Sequence, residues 1–420
     1  MKTIQSLTVI ISFCMMAIHL NSVSAMISIK DYLAIALKDE AIIYQIEKMN
    51  GLKQKSLKSP LLKEVEVRLQ VDQFDDLRQR YTARFVPNRW DEVKEEKIVY
   101  EIMFNSNETE RLLMINQALR DRYLIVIDGY HNSRLLELNK LLLALYEDRA
   151  KVYKQNVSDI QFDPMDLINA ENEIMKLQLD MINIQNKVTR VEDELRKYFP
   201  DDMDMRIDTK QMIGISEIET RLKALPQRVQ ENNIYLKHAQ IELDLKNALY
   251  RLEKAKTKAF LSFLETSVDS SEIKHSENAF SVEFGVSIPM DNPKSLDIQR
   301  RELEQIEANR DLIHLKQDLI HNQDRYSRQL KRLISQYELL SKRKNTSITK
   351  ASYEIYQGLE DVNPLILLKL KENMLKTEIS MQTICFQVLE KYIELLDVLG
   401  MLSVKPLVNY LSLEMEMIQP

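Results

Sequence analysis

The chain has 420 residues, 45% hydrophobic and 29% charged, with only 6 Gly and 10 Pro, a composition that favours long helices joined by few turns. Its formal net charge of −6 argues against a nucleic-acid ligand, and its 19 Met suit irregular helix packing rather than any one chemistry.

Residues 1–25 read as a cleaved secretory signal: Lys2 supplies the positive start, Leu7 to Leu20 the apolar core, and Val23-Ser24-Ala25 a peptidase site. Cleavage would remove one Lys and no acid, taking the net charge to −7, and would remove Cys14. That leaves Cys385 alone, with no internal disulfide to form. Ile11-Ser12-Phe13-Cys14 lacks the small residue a lipoprotein signal wants before its cysteine. Beyond the signal there is no apolar run of about 18 residues, hence no expected spanning helix.

Ser28 followed by Asp31 predicts a capping box, and the apolar spacing after it predicts a helix to about Ser56, broken by Lys58 to Lys63. Val65, Val67, Leu69 and Val71 then alternate strictly with Glu66, Arg68, Gln70 and Asp72. After a polar connection, Tyr81, Ala83 and Phe85 alternate with Arg80, Thr82 and Arg84 up to Pro87. Period two means strand, so this is a hairpin with one charged face. From Trp90 to Gln155 the spacing predicts one long helix, on the order of 100 Å at about 1.5 Å per residue, or one kinked near Asp128-Gly129. Val157 to Pro164 reads as a turn and Asp166 to about Pro200 as a return helix.

A loose acidic stretch, Asp201 to Asp208, and a short helix, Ile215 to Leu225, precede a second pass through the same scheme. Asn232 to Lys258 predicts a helix and Phe260 to Val268 a strand, weakened because Glu265 falls on the face of Leu261 and Phe263. Phe280, Val282, Phe284, Val286 and Ile288 then share one parity, and Ser281, Glu283, Gly285 and Ser287 the other, up to Pro289. A long helix from Lys294 to Tyr356 follows, then the turn Gly358 to Pro364 and a last helix ending at Leu399-Gly400. The seam of the long helix, Leu312, Leu315, Leu319, Tyr326, Leu330, Leu333, Tyr337 and Leu340, steps by threes and fours, with Asn322 at the missing position. Residues 401–420 show no assignable pattern.

Val86-Pro87 matches Ile288-Pro289, Leu167-Ile168 matches Leu365-Ile366, and Glu194-Leu195 matches Glu394-Leu395, at offsets of 202, 198 and 200. Agreement in order and spacing predicts a duplicated unit, 26–200 and 232–400, joined by a connector at 201–231. The fold class expected is mainly α with short β-strands, four per chain.

Strands of 8 or 9 residues are near the length of a tilted membrane strand. Their lipid-facing set would be Val65, Val67, Leu69, Val71, Tyr81, Phe85, Phe280, Val282, Phe284, Val286 and Ile288. Their pore-facing set would be Glu66, Arg68, Gln70, Arg80, Thr82, Arg84, Ser281, Glu283 and Ser287. Alternation alone also fits a small soluble β-domain packed on one side. Four strands are too few to close a membrane barrel, whereas three chains would supply twelve.

Five stretches in chain order resemble the TolC family of outer-membrane efflux and secretion channels over residues 27–400: Ile29 to Leu37, Asp166 to Glu171, Phe284 to Pro289, Tyr356-Gln-Gly358 and Leu395 to Gly400. The resemblance implies a homotrimer with a twelve-stranded barrel in the outer membrane and a periplasmic helical tunnel. It implies a periplasmic adaptor protein and an inner-membrane pump as partners, no cofactor, and passive conduction without chemistry. It places Asp163, Asp166, Gly358, Asp361 and Asn363 at the periplasmic tips. Departures are Ile160 where the second turn has Gly358, Asn363 and Ile366 where acids are common, and no Asn-Arg-Pro before the second half, where Asn232-Asn233 stands instead.

His314, Asp318 and His321 share one helical face, which a solvated surface explains better than a metal site. There is no phosphate-binding Gly-rich loop, His-Glu-x-x-His or nucleophile elbow, and Asp201-Asp202 reads as solvated loop, so no enzyme is expected. The rival reading is a secreted helical scaffold or adaptor without a pore, for which Asn107-Glu-Thr109 would serve as a glycosylation site.

Overall fold

The computed structural model describes residues 26–54, 62–71, 79–155, 163–200, 203–226, 228–269, 280–288, 295–346, 348–357 and 363–419. The expected signal at 1–25, Ile160, Asp201-Asp202, Gly358 and Asp361 lie outside them. Two compact units divide the chain, one from Met1–Glu40, Ile115–Gln230 and Ile320–Pro420, the other from Ala41–Met114 and Glu231–Leu319. Each draws on both halves of the sequence.

In the first unit, β1 (Met26–Ser28) leads into α1 (Ile29–Ile35). The expected capping box is formed: Ser28 Oγ accepts from the Asp31 amide at 3.0 Å and donates to Asp31 Oδ2 at 2.7 Å. The helix expected to continue to Ser56 is interrupted. It tightens into a 3₁₀ turn at Ala36–Lys38, Asp39 turns extended with ψ 136°, and α2 (Glu40–Gln54) starts afresh. The reason lies 83 residues away. Arg122, on α3 (Trp90–Gln155), grips both Asp39 carboxylate oxygens, at 2.9 Å to Oδ2 and more closely to Oδ1. Only 7% of the Arg122 side chain is exposed, and its guanidinium lies 5.1 Å from the Tyr198 ring.

The acidic stretch expected to be loose contains β4 (Asp204–Asp208), which pairs parallel with β1 through Ile27↔Ile207 and Ser28↔Asp208. Its alternation, Met205 and Ile207 between charged neighbours, is too short to stand out from the acids around it. The tail also has a place. Arg221, on α5 (Ile215–Ala224), donates to the carbonyls of Tyr410, Ser412 and Leu413 at 2.8–3.2 Å. Tyr123 donates its hydroxyl proton to the Val408 carbonyl at 2.9 Å and accepts from the Tyr410 amide at 3.0 Å. α3 runs unbroken through Gly129, where a Cβ would lie 3.2 Å from Val191 of α4 (Pro164–Arg196), so the glycine allows close packing rather than a break.

The second unit packs α3 against α6 (Ile234–Ala255) through Val99, Ala248 and Leu252. Asn107 and Thr109 are buried in this unit, at 6% and 7% exposure. Asn107 Nδ2 donates to the Met103 carbonyl at 2.7 Å, and its Oδ1 accepts from Gln45 at 3.1 Å. A side chain so enclosed cannot carry a glycan, which removes the glycosylation reading. The unit also holds β2 (Leu62–Val71), β3 (Gln79–Pro87), β5 (Phe260–Asp269) and β6 (Phe280–Ser287), in one antiparallel sheet of order β2-β3-β5-β6.

The remaining helices are α7 (Ser295–Thr346), α8 (Ile348–Gln357) and α9 (Pro364–Val398). Leu319, Leu330 and Leu333 are buried as the seam requires, but its polar member is Gln323, 5% exposed, rather than Asn322. Gln323 sits four after Leu319 and three before Tyr326, and its Nε2 reaches the Pro226 carbonyl at 2.9 Å. Helix, hairpin, long helix and return helix thus occur twice in order.

Replacing Arg122 with Met should leave Asp39 without its partner and destabilise the protein by about 2 kcal/mol, read as a lower denaturant midpoint in chemical unfolding of the purified protein. An unchanged midpoint would mean that the break at Asp39 is set locally.

Candidate functional site

The register of the sheet decides which side chains share a face. Val65, Val67 and Leu69 stand opposite Phe85, Ala83 and Tyr81, and these opposite Leu264, Thr266 and Val268. The last three stand opposite Phe284, Val282 and Phe280. One continuous apolar face results. On the other face Glu66, Arg68 and Gln70 stand opposite Arg84, Thr82 and Arg80, followed by Glu265, Ser267 and Asp269, with Glu283 and Ser281 beyond.

The difficulty with Glu265 is resolved by an irregularity between Leu261 and Phe263. The bulge adds one residue, so Leu261 stays with the apolar face opposite Val286, while Phe263 moves to the polar face opposite Gly285. There its ring lies under the Arg84 guanidinium at 4.0 Å. A Cβ on residue 285 would lie only 2.3 Å from the edge of that ring, so the glycine makes room for the aromatic. Strict period-two counting cannot see a bulge. The one signal was the clash of Glu265 with its supposed face.

The apolar face is left open rather than covered as water would require. Val67, Phe284 and Phe280 are 78%, 69% and 63% exposed, and Ile288 continues their parity at 65%. Across the polar face Arg84 reaches Glu265 at 3.8 Å, Arg80 reaches Asp269 at 3.5 Å and Arg68 reaches Glu66 at 2.7 Å. Thr82 between them is 9% exposed, while Arg68 and Arg80 remain about half exposed at 54% and 55%. The outer edges of β2 and β6 pair with no other strand among the described residues.

The return helices begin alike. Asp163 caps α4 by accepting from the Met165 amide at 2.9 Å, Asn363 caps α9 by accepting from the Leu365 amide at 2.9 Å, and a proline follows each cap. The equivalence sets an offset of 200, replacing the 198 read from Leu167-Ile168 and Leu365-Ile366, and it aligns exposed Asp166 with exposed Ile366. Asn in place of Asp keeps the cap and drops the charge.

Two to three turns along these helices sequence reasoning missed a charged clasp. Glu372 on α9, with 1% of its side chain exposed, accepts from Arg149 on α3 at 3.0 Å and pairs with Lys376 at 2.7 Å and Lys369 at 3.1 Å. Arg149 also grips Glu173 on α4. Burial alone would raise the Glu372 carboxyl, but its bonds to Lys376 and Lys369 outweigh that and hold it below the ordinary carboxylate range. His314, Asp318 and His321 are all exposed. Among the described residues no helix is long and apolar enough to cross a membrane.

No protein-family model matches the chain, and no curated protein matches it. Solved structures do match, and the class they define is the outer-membrane channel fold, so the resemblance to the TolC-like family read from sequence holds at the level of the fold. The Vibrio cholerae outer-membrane protein VceC is 10% identical with a TM-score of 0.63, over 89% of this chain and 96% of that one. The Neisseria gonorrhoeae outer-membrane channel MtrE, in its open state, is 13% identical with a TM-score of 0.60, over 89% and 88%. CusC, studied for its folding and transmembrane channel formation, is 12% identical with a TM-score of 0.62, over 89% and 92%.

Two outcomes are expected. Gly285→Val should expel the Phe263 ring and cost the sheet about 1–3 kcal/mol, and adding Phe263→Ala should recover part of it, measured as thermal loss of β-structure by circular dichroism. Because the folded Glu372 carboxyl titrates below its unfolded value, its stabilisation is complete above the ordinary carboxylate range and lost as pH falls through the folded value. Glu372→Gln should therefore be less stable than the parent at pH 7, and the gap should close below about pH 4 in paired melts.

Proposed function

We propose that the chain is the outer-membrane channel of a tripartite efflux or type I secretion system, a passive conduit across periplasm and outer membrane. Three copies of the four-stranded sheet would close a twelve-stranded barrel, with the apolar face to lipid and the polar face to water. The observation that carries this reading is the uncovered apolar face beside a mutually paired polar face. A soluble β-domain would bury the first and expose the second.

The trimer is supported by more than strand count. α4 leaves Met165, Ile168, Met175, Leu179 and Ile182 exposed along one stripe, and α7 leaves Leu296, Leu303, Ile306, Ile313 and Ile320, both at coiled-coil spacing. Such stripes fit neighbouring copies of the same helices. In this reading the halves 26–200 and 232–400 are a duplication, 201–231 connects them, and residues 1–25 are a cleaved export signal to a bacterial envelope. Asp163, Asp166, Gly358, Asp361 and Asn363 form the tips that meet a periplasmic adaptor and, through it, an inner-membrane pump. No substrate is transformed. The adaptor alternative is disfavoured because both hairpins join one sheet instead of flanking a single helical hairpin.

The test is a paired substitution in expressing cells, read in outer-membrane extracts run unheated and boiled. Val282→Arg should cost about 2–4 kcal/mol at the lipid face and abolish the heat-sensitive species near three times the chain mass, whereas Ser281→Arg, one residue away, should retain it. If both variants behave alike, or the parent is a soluble monomer after osmotic shock, the strands form a soluble β-domain and the channel reading falls.

A further inference from the structure

Where β3 passes into α3 and α6 into β5, the second unit holds a cavity of about 260 Å³. Pro87 and Leu261 in its wall stand opposite Leu62 and Val286 respectively and carry the parity of the apolar face, so the cavity adjoins that face where the strands end. Trp90, the only tryptophan in the chain, lines it and is 69% exposed.

Two cations stand at the same place, and they differ. The Arg89 guanidinium is locked, lying 3.9 Å over the Phe260 ring and donating to the carbonyls of Lys256 and Lys258 at 3.0 and 3.2 Å. Lys258 is loose, because its 2.7 Å bridge to Asp91 joins two side chains that are 61% and 57% exposed. A pair so solvated contributes little, and its ammonium can exchange one anion for another.

An apolar wall that ends in an exposed indole and cations has the chemistry of a bilayer's headgroup boundary. We propose that one anionic phospholipid docks at this cavity, with part of an acyl chain entering along Pro87 and Leu261 and the headgroup phosphate at Lys258 in competition with Asp91. The inference rests on the reading of the sheet as a membrane barrel, and it adds a lipid site of defined charge at the helix end of that barrel.

Trp90 is a built-in probe. The full-length protein would be reconstituted into phosphatidylethanolamine vesicles containing a minor fraction of phosphatidylglycerol, with brominated, quenching acyl chains on one lipid or the other. Per mole of lipid, brominated phosphatidylglycerol should quench Trp90 about fivefold more than brominated phosphatidylethanolamine. Lys258→Gln should bring the ratio towards one, and Asp91→Asn should raise it; both residues are exposed, so neither change threatens the fold. Equal quenching by the two lipids in the parent, a ratio that ignores both substitutions, or relief of quenching by excess inorganic phosphate would each overturn the lipid site. Failure of the protein to float with the vesicles would overturn the barrel reading and the lipid site together, whereas flotation with equal quenching would overturn the lipid site alone.

Discussion

A four-stranded antiparallel sheet with two open edges and an uncovered apolar face is not a finished structure in either solvent. In water, side chains such as Val67, Phe280 and Phe284 would each forgo the roughly 1.5–3 kcal/mol that burial brings. In hydrocarbon the unpaired backbone groups along β2 and β6 would cost several kcal/mol each. Closing the sheet with further copies, and setting its apolar face in lipid, meets both demands at once. That single constraint links the strand count, the proposed trimer and the proposed location.

Within the helices a few buried polar contacts punctuate the apolar packing. Asp39 with Arg122, Glu372 with Arg149, Gln45 with Asn107, and Gln323 with the Pro226 carbonyl each sit where long helices otherwise meet through Leu, Ile and Tyr. Apolar seams tolerate sliding by a heptad, because one Leu replaces another at little cost. A buried carboxylate or carboxamide tolerates none, because only one register satisfies it. These contacts therefore specify alignment more than they add stability.

What was legible in the sequence was whatever a local period can express. The four strands, the helix from Trp90 to Gln155, the cap at Ser28, and the order of elements in the two halves follow from spacing and capping chemistry within a few residues. The misreadings share a different cause. The break at Asp39 depends on Arg122 arriving from another helix, and β4 exists because β1 lies beside it. The tail is held by Arg221 and Tyr123, and none of these partners is near in sequence. Placing Asn322 on the seam was a slip of one residue that only the burial of Gln323 reveals.

The sequence by itself therefore determined a long-helical chain with two amphipathic hairpins in repeated order, because helix and strand periods are properties of neighbouring residues. Only the tertiary structure decided that the two hairpins merge through β3 and β5 into one sheet. It alone shifted Phe263 to the polar face across a bulge, and left the apolar face of four strands bare. Register, bulges and exposure are relations between distant segments, and a one-residue slip in any of them turns every side chain of a strand to the opposite face.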